Sequence, residues 1–155
     1  MKKILVLGAG RSTTTLIDYL ISNSLENNWF VRVGDFSIEL AEESVGNSKR
    51  AKAIFFNVTD NQQRQEEIRN SDIVVSMLPA RMHFLVAQDC VILKKNLVTA
   101  SYVSDELKRL NKQAKKSGVL LLNEMGLDPG IDHMSAMKII DEIKEKKGKL
   151  IAFKS

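Results

Sequence analysis

The sequence predicts an α/β protein built on a doubly wound parallel sheet, and three observations carry that reading. Short, branched apolar runs alternate with amphipathic stretches about five times before a sixth run; a Gly-Ala-Gly turn follows the first run; and no internal repeat or Pro/Ser-rich linker interrupts the order. Alternation of this kind places parallel strands side by side, with a right-handed crossover helix covering one face or the other. At 155 residues the chain suits a single domain, and 44% hydrophobic with 27% charged residues excludes disordered, collagen-like and low-complexity classes.

The elements follow in order. Ile4 to Leu7 is a four-residue apolar run between Lys3 and Gly8, which suits a strand buried on both faces. From Thr13, Leu16, Ile17, Leu20 and Ile21 recur at helical spacing. Trp29 to Val33 is the second strand, ended by Gly34-Asp35. Ser37 can cap a helix carrying Ile38, Leu40, Ala41 and Val45, and Gly46 stops it. Ala53 to Val58 is the third strand. Asp60, with Gln63 three residues on, has the form of a capping box for a polar helix to about Asn70. Ile73 to Leu78 is the fourth strand, and after Pro79 the residues Phe84, Ala87 and Val91 share a helical face. Asn96 to Ala100 is the fifth. Ser104 caps a helix with Asp105 and Glu106 in its first turn and Lys112, Lys115 and Lys116 towards its end, which suits the helix dipole, and Gly118 is placed to stop it. Val119 to Leu122 is the sixth strand. A glycine-containing loop, Asn123 to Asp132, leads to a helix from about His133 to Lys147, and Lys149 to Phe153 begins another apolar segment.

Charge narrows the partners. Residues 138–155 hold six Lys against Asp141, Glu142 and Glu145, so +3 of the net +4 sits there and the remaining chain is nearly neutral. Without aromatic residues interleaved among the cations, this reads as a solvated helix face rather than a nucleic-acid grip. Cys90, the single cysteine, cannot form an internal disulfide and fits a reducing cytoplasm. No apolar run approaches the length of a membrane span. A small-molecule ligand is the expected partner, with neither nucleic acid nor membrane.

In an open α/β sheet ligands sit at the carboxyl ends of the strands, where strand order reverses. Gly8-Ala9-Gly10 lies between the first strand and first helix, where backbone N–H groups at a helix N-terminus suit a dinucleotide pyrophosphate. The third glycine of the usual G-x-G-x-x-G is Thr13. Asp35 ends the second strand, twenty-five positions after Gly10, where a carboxylate accepts from the adenine ribose hydroxyls. It would repel a 2′-phosphate, and Phe36 beside it brings no compensating charge, so NAD is favoured, with NADP possible. The plainer alternative is that Asp35 begins the turn before Ser37. Pro79 and Pro129 fall on the same rim, as does Ser101-Tyr102. Asp128, Asp132 and His133 cluster after the sixth strand, but one loop of O and N donors fits many arrangements, and no metal is expected. His83 reads as a helix surface group, and Cys90 as core.

Taken together, VLGAGRS, VRVGD, FFNVTD, DIVVSMLPARMH, LVTASYVSDEL and NEMGLDPGIDHM resemble the amino-terminal part of the saccharopine dehydrogenase family, in its glutamate-forming branch. The segment Asn123 to Met134 is the most specific element, followed by Val98 to Tyr102. The resemblance implies a Rossmann fold and oxidation of the secondary amine of saccharopine by a nicotinamide cofactor, with hydrolysis to glutamate and aminoadipate semialdehyde. It also implies that Gly8, Gly10, Arg11 and Ser12 hold the pyrophosphate and Asp35 the ribose, with Asn57 and Val58 near the adenine. Leu78, Pro79, Ala100 and Ser101 would line the nicotinamide side under Leu127, Asp128 and Pro129. Ser101, Tyr102 and Asp128 would meet the substrate, with Asp128 a candidate proton acceptor and no catalytic residue assigned.

Such enzymes carry a second α/β domain. The expectation is therefore a truncated chain: residues 1–132 a dinucleotide-binding domain, residues 133–155 a linking helix and the first strand of a substrate and dimerisation domain. A piece of this kind would be inactive alone, and apolar surface around Met134, Met137 and Ile140 would favour a homodimer. The alternatives are a related amine dehydrogenase acting on a carboxylated polyamine such as carboxynorspermidine, and a non-enzymatic NAD sensor.

Overall fold

A computed structural model describes residues 1–154. Its sheet has six parallel strands: β1 (Lys2–Leu7), β2 (Trp29–Asp35), β3 (Ala51–Phe55), β4 (Ile73–Ser76), β5 (Asn96–Thr99) and β6 (Leu121–Leu122). Their order is β3-β2-β1-β4-β5-β6, so strand order reverses between β1 and β4, and the doubly wound expectation holds. The helices are α1 (Thr14–Ser22), α2 (Ile38–Val45), α3 (Asn61–Arg69), α4 (His83–Leu93), α5 (Asp105–Arg109), α6 (Asn111–Ser117) and α7 (Ile131–Glu145), with a 3₁₀ turn at Ala80–Met82.

Strand parity makes the two layers. Leu5 and Leu7 point into a core with Phe56, Ile68, Val74, Val86, Cys90 and Leu97, beneath α3 and α4. Ile4 and Val6 point oppositely, to Ile17, Val31, Val33 and Ala41 beneath α1 and α2. Leu5 and Leu7 are both fully buried, each contributing roughly 1.5–3 kcal/mol over an exposed position. Cys90 lies in this core as expected, and burial pushes its thiol up to about 12.

Several boundaries move. The third strand is Ala51–Phe55, not Ala53 to Val58, because Val31 to Asp35 pair residue by residue with Ala51 to Phe55. Phe56 and Val58 are buried apolar residues of the following loop, a state that apolarity cannot distinguish from strand. The fourth, fifth and sixth strands are likewise shorter than their apolar runs. The helix after Ser104 is two, α5 and α6. At Leu110 the N–H bonds to the carbonyl of Leu107, three residues back, a tightened turn that brings both leucines into the core. Lys149 to Phe153 forms no strand, since no neighbour takes up its backbone bonds, and Ser155 lies outside the described residues. Gln63 also departs from the capping box: Asp60 accepts from the Gln63 N–H, but the Gln63 side chain bonds to the Asn57 N–H and the Phe55 carbonyl. It braces the loop after β3 instead.

Candidate dinucleotide site

The site begins at the turn between β1 and α1. Gly8 has φ +105, and a Cβ there would stand 2.9 Å from the Met77 carbonyl oxygen, so only glycine lets this turn pass the end of β4. Gly10 faces open space, with nothing within 4 Å of where its Cβ would be. Thr13, in place of the third glycine, is buried, and its hydroxyl and N–H both donate to the Gly10 carbonyl, at 2.6 and 2.9 Å. The departure from the usual motif is thus absorbed by a hydrogen bond. Arg11 and Ser12 are exposed on the loop. The first turn of α1 contains no acidic residue, and its N–H groups, lacking partners within the helix, favour an anion.

Asp35 joins this turn to the next element. Its Oδ2 accepts the Ala9 N–H at 2.7 Å and its Oδ1 the Ser37 N–H at 2.9 Å. The turn-starting role is therefore real, and it coexists with a position on the cleft. Asp35 lines a cleft of about 480 Å³ with Phe36, Asn57, Val58, Leu78 and Pro79, flanked by Phe56, Thr59 and Met82. Five of the residues singled out in the sequence meet here. Phe36 packs obliquely against Phe55, ring centres 5.5 Å apart, which backs the Phe36 side of the cleft.

A second group gathers at the ends of β5 and β6. The Tyr102 hydroxyl donates to Asp128 Oδ1 at 2.6 Å, a bond that, together with lesser burial, raises the phenol above its ordinary pKa. The loop carrying Asp128 closes on itself. Gly126 N–H bonds to the Pro129 carbonyl and Ile131 N–H to the Gly126 carbonyl. At Gly130, with φ +151, a Cβ would lie 2.1 Å from the Gly126 oxygen. Gly126 in turn packs against Ala100. Pro129 is buried, whereas Leu127 and Asp128 are exposed. Asp128, Asp132 and His133 bring ligand-type atoms within 4.8 Å of one another, with His133 Nδ1 bonded to Asp132 at 2.8 Å. That bond and the Asp132 charge raise the pKa of His133.

His83 overturns its sequence reading. It is 1% exposed, not a surface group, because Ser76 and Thr99 are register partners on the α4 face of the sheet and the first residue of α4 lies over them. Its Nδ1 is 2.8 Å from Ser76 Oγ and its Nε2 2.7 Å from Ser101 Oγ. A histidine at a helix start gives no sign of this; the only signal was a serine interrupting the apolar run of β4. Burial among hydroxyls pushes the His83 pKa down. The unfolded imidazole therefore gains a proton as the pH falls below about 6.5 while the folded one does not, so stability drops with pH by up to about 1.4 kcal/mol per unit until the lowered pKa is reached. Urea denaturation at successive pH values is expected to show this slope, and His83→Gln to remove it.

The fold and these loops define a Rossmann-type dinucleotide-binding domain. Residues 4–122 match the family model described as the saccharopine dehydrogenase NADP binding domain, and the chain belongs to that family. It is 39% identical over 169 residues to the alpha-aminoadipic semialdehyde synthase of Arabidopsis thaliana, covering 98% of this chain and 16% of that protein. To the saccharopine dehydrogenase [NADP(+), L-glutamate-forming] of Saccharomyces cerevisiae it is 34% identical over 160 residues, covering 99% of this chain and 34% of the relative. The apo saccharopine dehydrogenase (L-Glu forming) structure from Saccharomyces cerevisiae superposes with a TM-score of 0.87 at 35% identity, over 97% of this chain and 33% of that one. The chain thus spans between 16% and 34% of the length of these relatives. A biliverdin reductase structure from Synechocystis, at TM-score 0.62 and 14% identity over 78% of this chain and 37% of that one, shares the fold alone. Among the described residues no helix is long and apolar enough to cross a membrane.

Proposed function

We propose that this chain is the cofactor-binding part of a saccharopine dehydrogenase, which oxidises the secondary amine of saccharopine with NAD(P)+ to give glutamate and aminoadipate semialdehyde. The observation that carries this reading is the Ala9–Asp35 bond. It joins the phosphate-facing glycine turn after β1 to the ribose-facing carboxylate at the end of β2, beside the point where strand order reverses, in a chain of this family. When bound, the nicotinamide supplies the hydride acceptor for the carbon bearing the amine.

The chain's own residues bind and orient. Gly8, Gly10, Arg11 and Ser12 with the N-terminus of α1 hold the pyrophosphate. Asp35 takes the ribose hydroxyls, and Asn57 and Val58 border the adenine in the cleft they share with Leu78 and Pro79. Ala100, Ser101, Leu127 and Pro129 bound the nicotinamide side. Tyr102 and Asp128 face the substrate, and Asp128, whose Oδ1 accepts from the Tyr102 hydroxyl, is the candidate acceptor for the amine proton, with water or a group of the substrate domain as the alternatives.

NAD is favoured over NADP on the charge of Asp35, although the family description and the yeast relative's name carry NADP. The cleft beside Arg11 also contains Asp18 and Glu43, so it is no cationic seat for a 2′-phosphate. Residues 133–155 are read as the link to a substrate domain. A homodimer through exposed Met134 and Met137 would double the mass in light scattering. The buried, unpaired Cys90 suits the cytoplasm.

Two measurements test the proposal. The chain is expected to bind NADH saturably in calorimetry, and absence of heat at millimolar ligand would remove the dinucleotide reading. The full-length protein is expected to form NADH and glutamate together from saccharopine and NAD+. NADH formation with carboxynorspermidine and none with saccharopine would transfer it to the sister activity.

A further inference from the structure

The contacts of His83 set the direction of a hydrogen bond at the rim. A neutral imidazole donates from one nitrogen and accepts at the other. Ser76 is fully buried and His83 Nδ1 is the one hydrogen-bond partner of its Oγ among the described residues, so its proton can be satisfied only by donation to Nδ1. Nδ1 is then the acceptor and the ring proton sits on Nε2, aimed at Ser101 Oγ 2.7 Å away. Thr99 Oγ1 lies 3.2 and 3.4 Å from Nε2 and Nδ1 and accepts the Ser101 N–H at 3.3 Å. With its oxygen already accepting from His83, the half-buried Ser101 hydroxyl has no acceptor for its own proton among the described residues.

We propose that His83 is a positioning residue: held as the Nε2–H tautomer by Ser76, it turns the Ser101 hydroxyl outward as a preset donor to an oxygen acceptor on the nicotinamide half of a bound dinucleotide. This rests on the dinucleotide reading above, in which the half of the ligand beyond the pyrophosphate lies over β4 and β5. The series Ser101–His83–Ser76 ends in the core, so it orients and does not conduct protons to solvent. A donor fixed before binding avoids the ordering cost that a freely rotating hydroxyl would incur.

The chain has two histidines, so each ring can be followed by long-range proton–nitrogen NMR. His83 is expected to show a bare Nδ1 and a protonated Nε2 at neutral pH, and the opposite tautomer overturns the proposal. Ser76→Ala is expected to give a mixture of both forms; an unchanged spectrum would mean that Ser76 does not set the tautomer. In binding, His83→Phe is expected to weaken NADH about tenfold, the equivalent of one hydrogen bond, while leaving ADP-ribose, which lacks the nicotinamide, within about twofold. His83→Gln, which keeps an N–H towards Ser101, is expected to recover most of the loss. Equal weakening of both ligands would make His83 merely structural and overturn the proposal. A wild-type chain that binds neither ligand overturns the dinucleotide reading and this ligand assignment with it, while the tautomer spectrum still decides whether Ser76 holds the ring.

Discussion

Asp35→Asn is expected to weaken NADH binding by roughly 10- to 100-fold, the worth of a charged hydrogen bond to the ribose, and to erase discrimination against NADPH. The wild-type carboxylate sits between two backbone donors, Ala9 N–H and Ser37 N–H, which fix both oxygens and leave their remaining lone pairs for ribose hydroxyls. A 2′-phosphate placed beside it would meet repulsion of several kcal/mol at about 4 Å under an effective dielectric of about 20. The wild type is therefore expected to prefer NADH over NADPH by tenfold or more. Asparagine removes the charge but also presents an NH2 where an oxygen stood. Whichever way the amide turns, it faces one of the two N–H groups, at a cost of about 1–3 kcal/mol in folding stability. Fluorescence titrations with NADH and NADPH, beside urea denaturation, separate the two effects. Equal wild-type affinity for both dinucleotides would reduce Asp35 to a builder of its turn.

Arg64→Met is expected to be the most destabilising single change considered. Arg64 and Asp89 are 4% and 3% exposed, with Nε 2.6 Å from Oδ2, and tie α3 to α4. The guanidinium also donates to the Val58 carbonyl and to Asn61 Oδ1, so it holds the loop that carries Asn57 and Val58 into the cleft. Methionine fills the space yet leaves Asp89 buried with only Gln65 at 3.1 Å. Breaking a buried pair in this way costs about 3–5 kcal/mol, or roughly 6–20 °C in Tm for a domain of this size. The double change Arg64→Met with Asp89→Leu is expected to regain most of it, because a paired charge is replaced by apolar packing on both sides. A Tm within 2 °C of wild type for the single variant would show the pair to be solvated and dispensable.

Helix caps and rim residues were legible because they depend on neighbours in the chain. Ser37, Asp60 and Ser104 each accept the N–H three residues on, as their spacing implies. Gly8, Asp35 and Ser101 stand at strand ends, where alternation of elements must put them. His83 was missed for the opposite reason. Its partners Ser76, Thr99 and Ser101 lie 7, 16 and 18 residues away, and they meet only because β4 and β5 pair with Ser76 opposite Thr99. Phe56 and Val58 read as strand in the sequence because burial, not strand geometry, is what an apolar run records.

The sequence by itself determined the alternation of layers, the parallel sheet, the glycine turn and which residues gather on the strand-end rim, though not where β3, β4 and β5 stop, since periodicity, capping and turn chemistry act over a few residues. Only the tertiary structure decided that Asp35 braces the glycine turn, that Arg64 and Asp89 form a buried pair, and that a histidine at a helix start is a core group aimed at Ser101. Each of these is a polar contact between segments distant in the chain, and its free energy depends on desolvation and register, which exist only once the sheet has assembled.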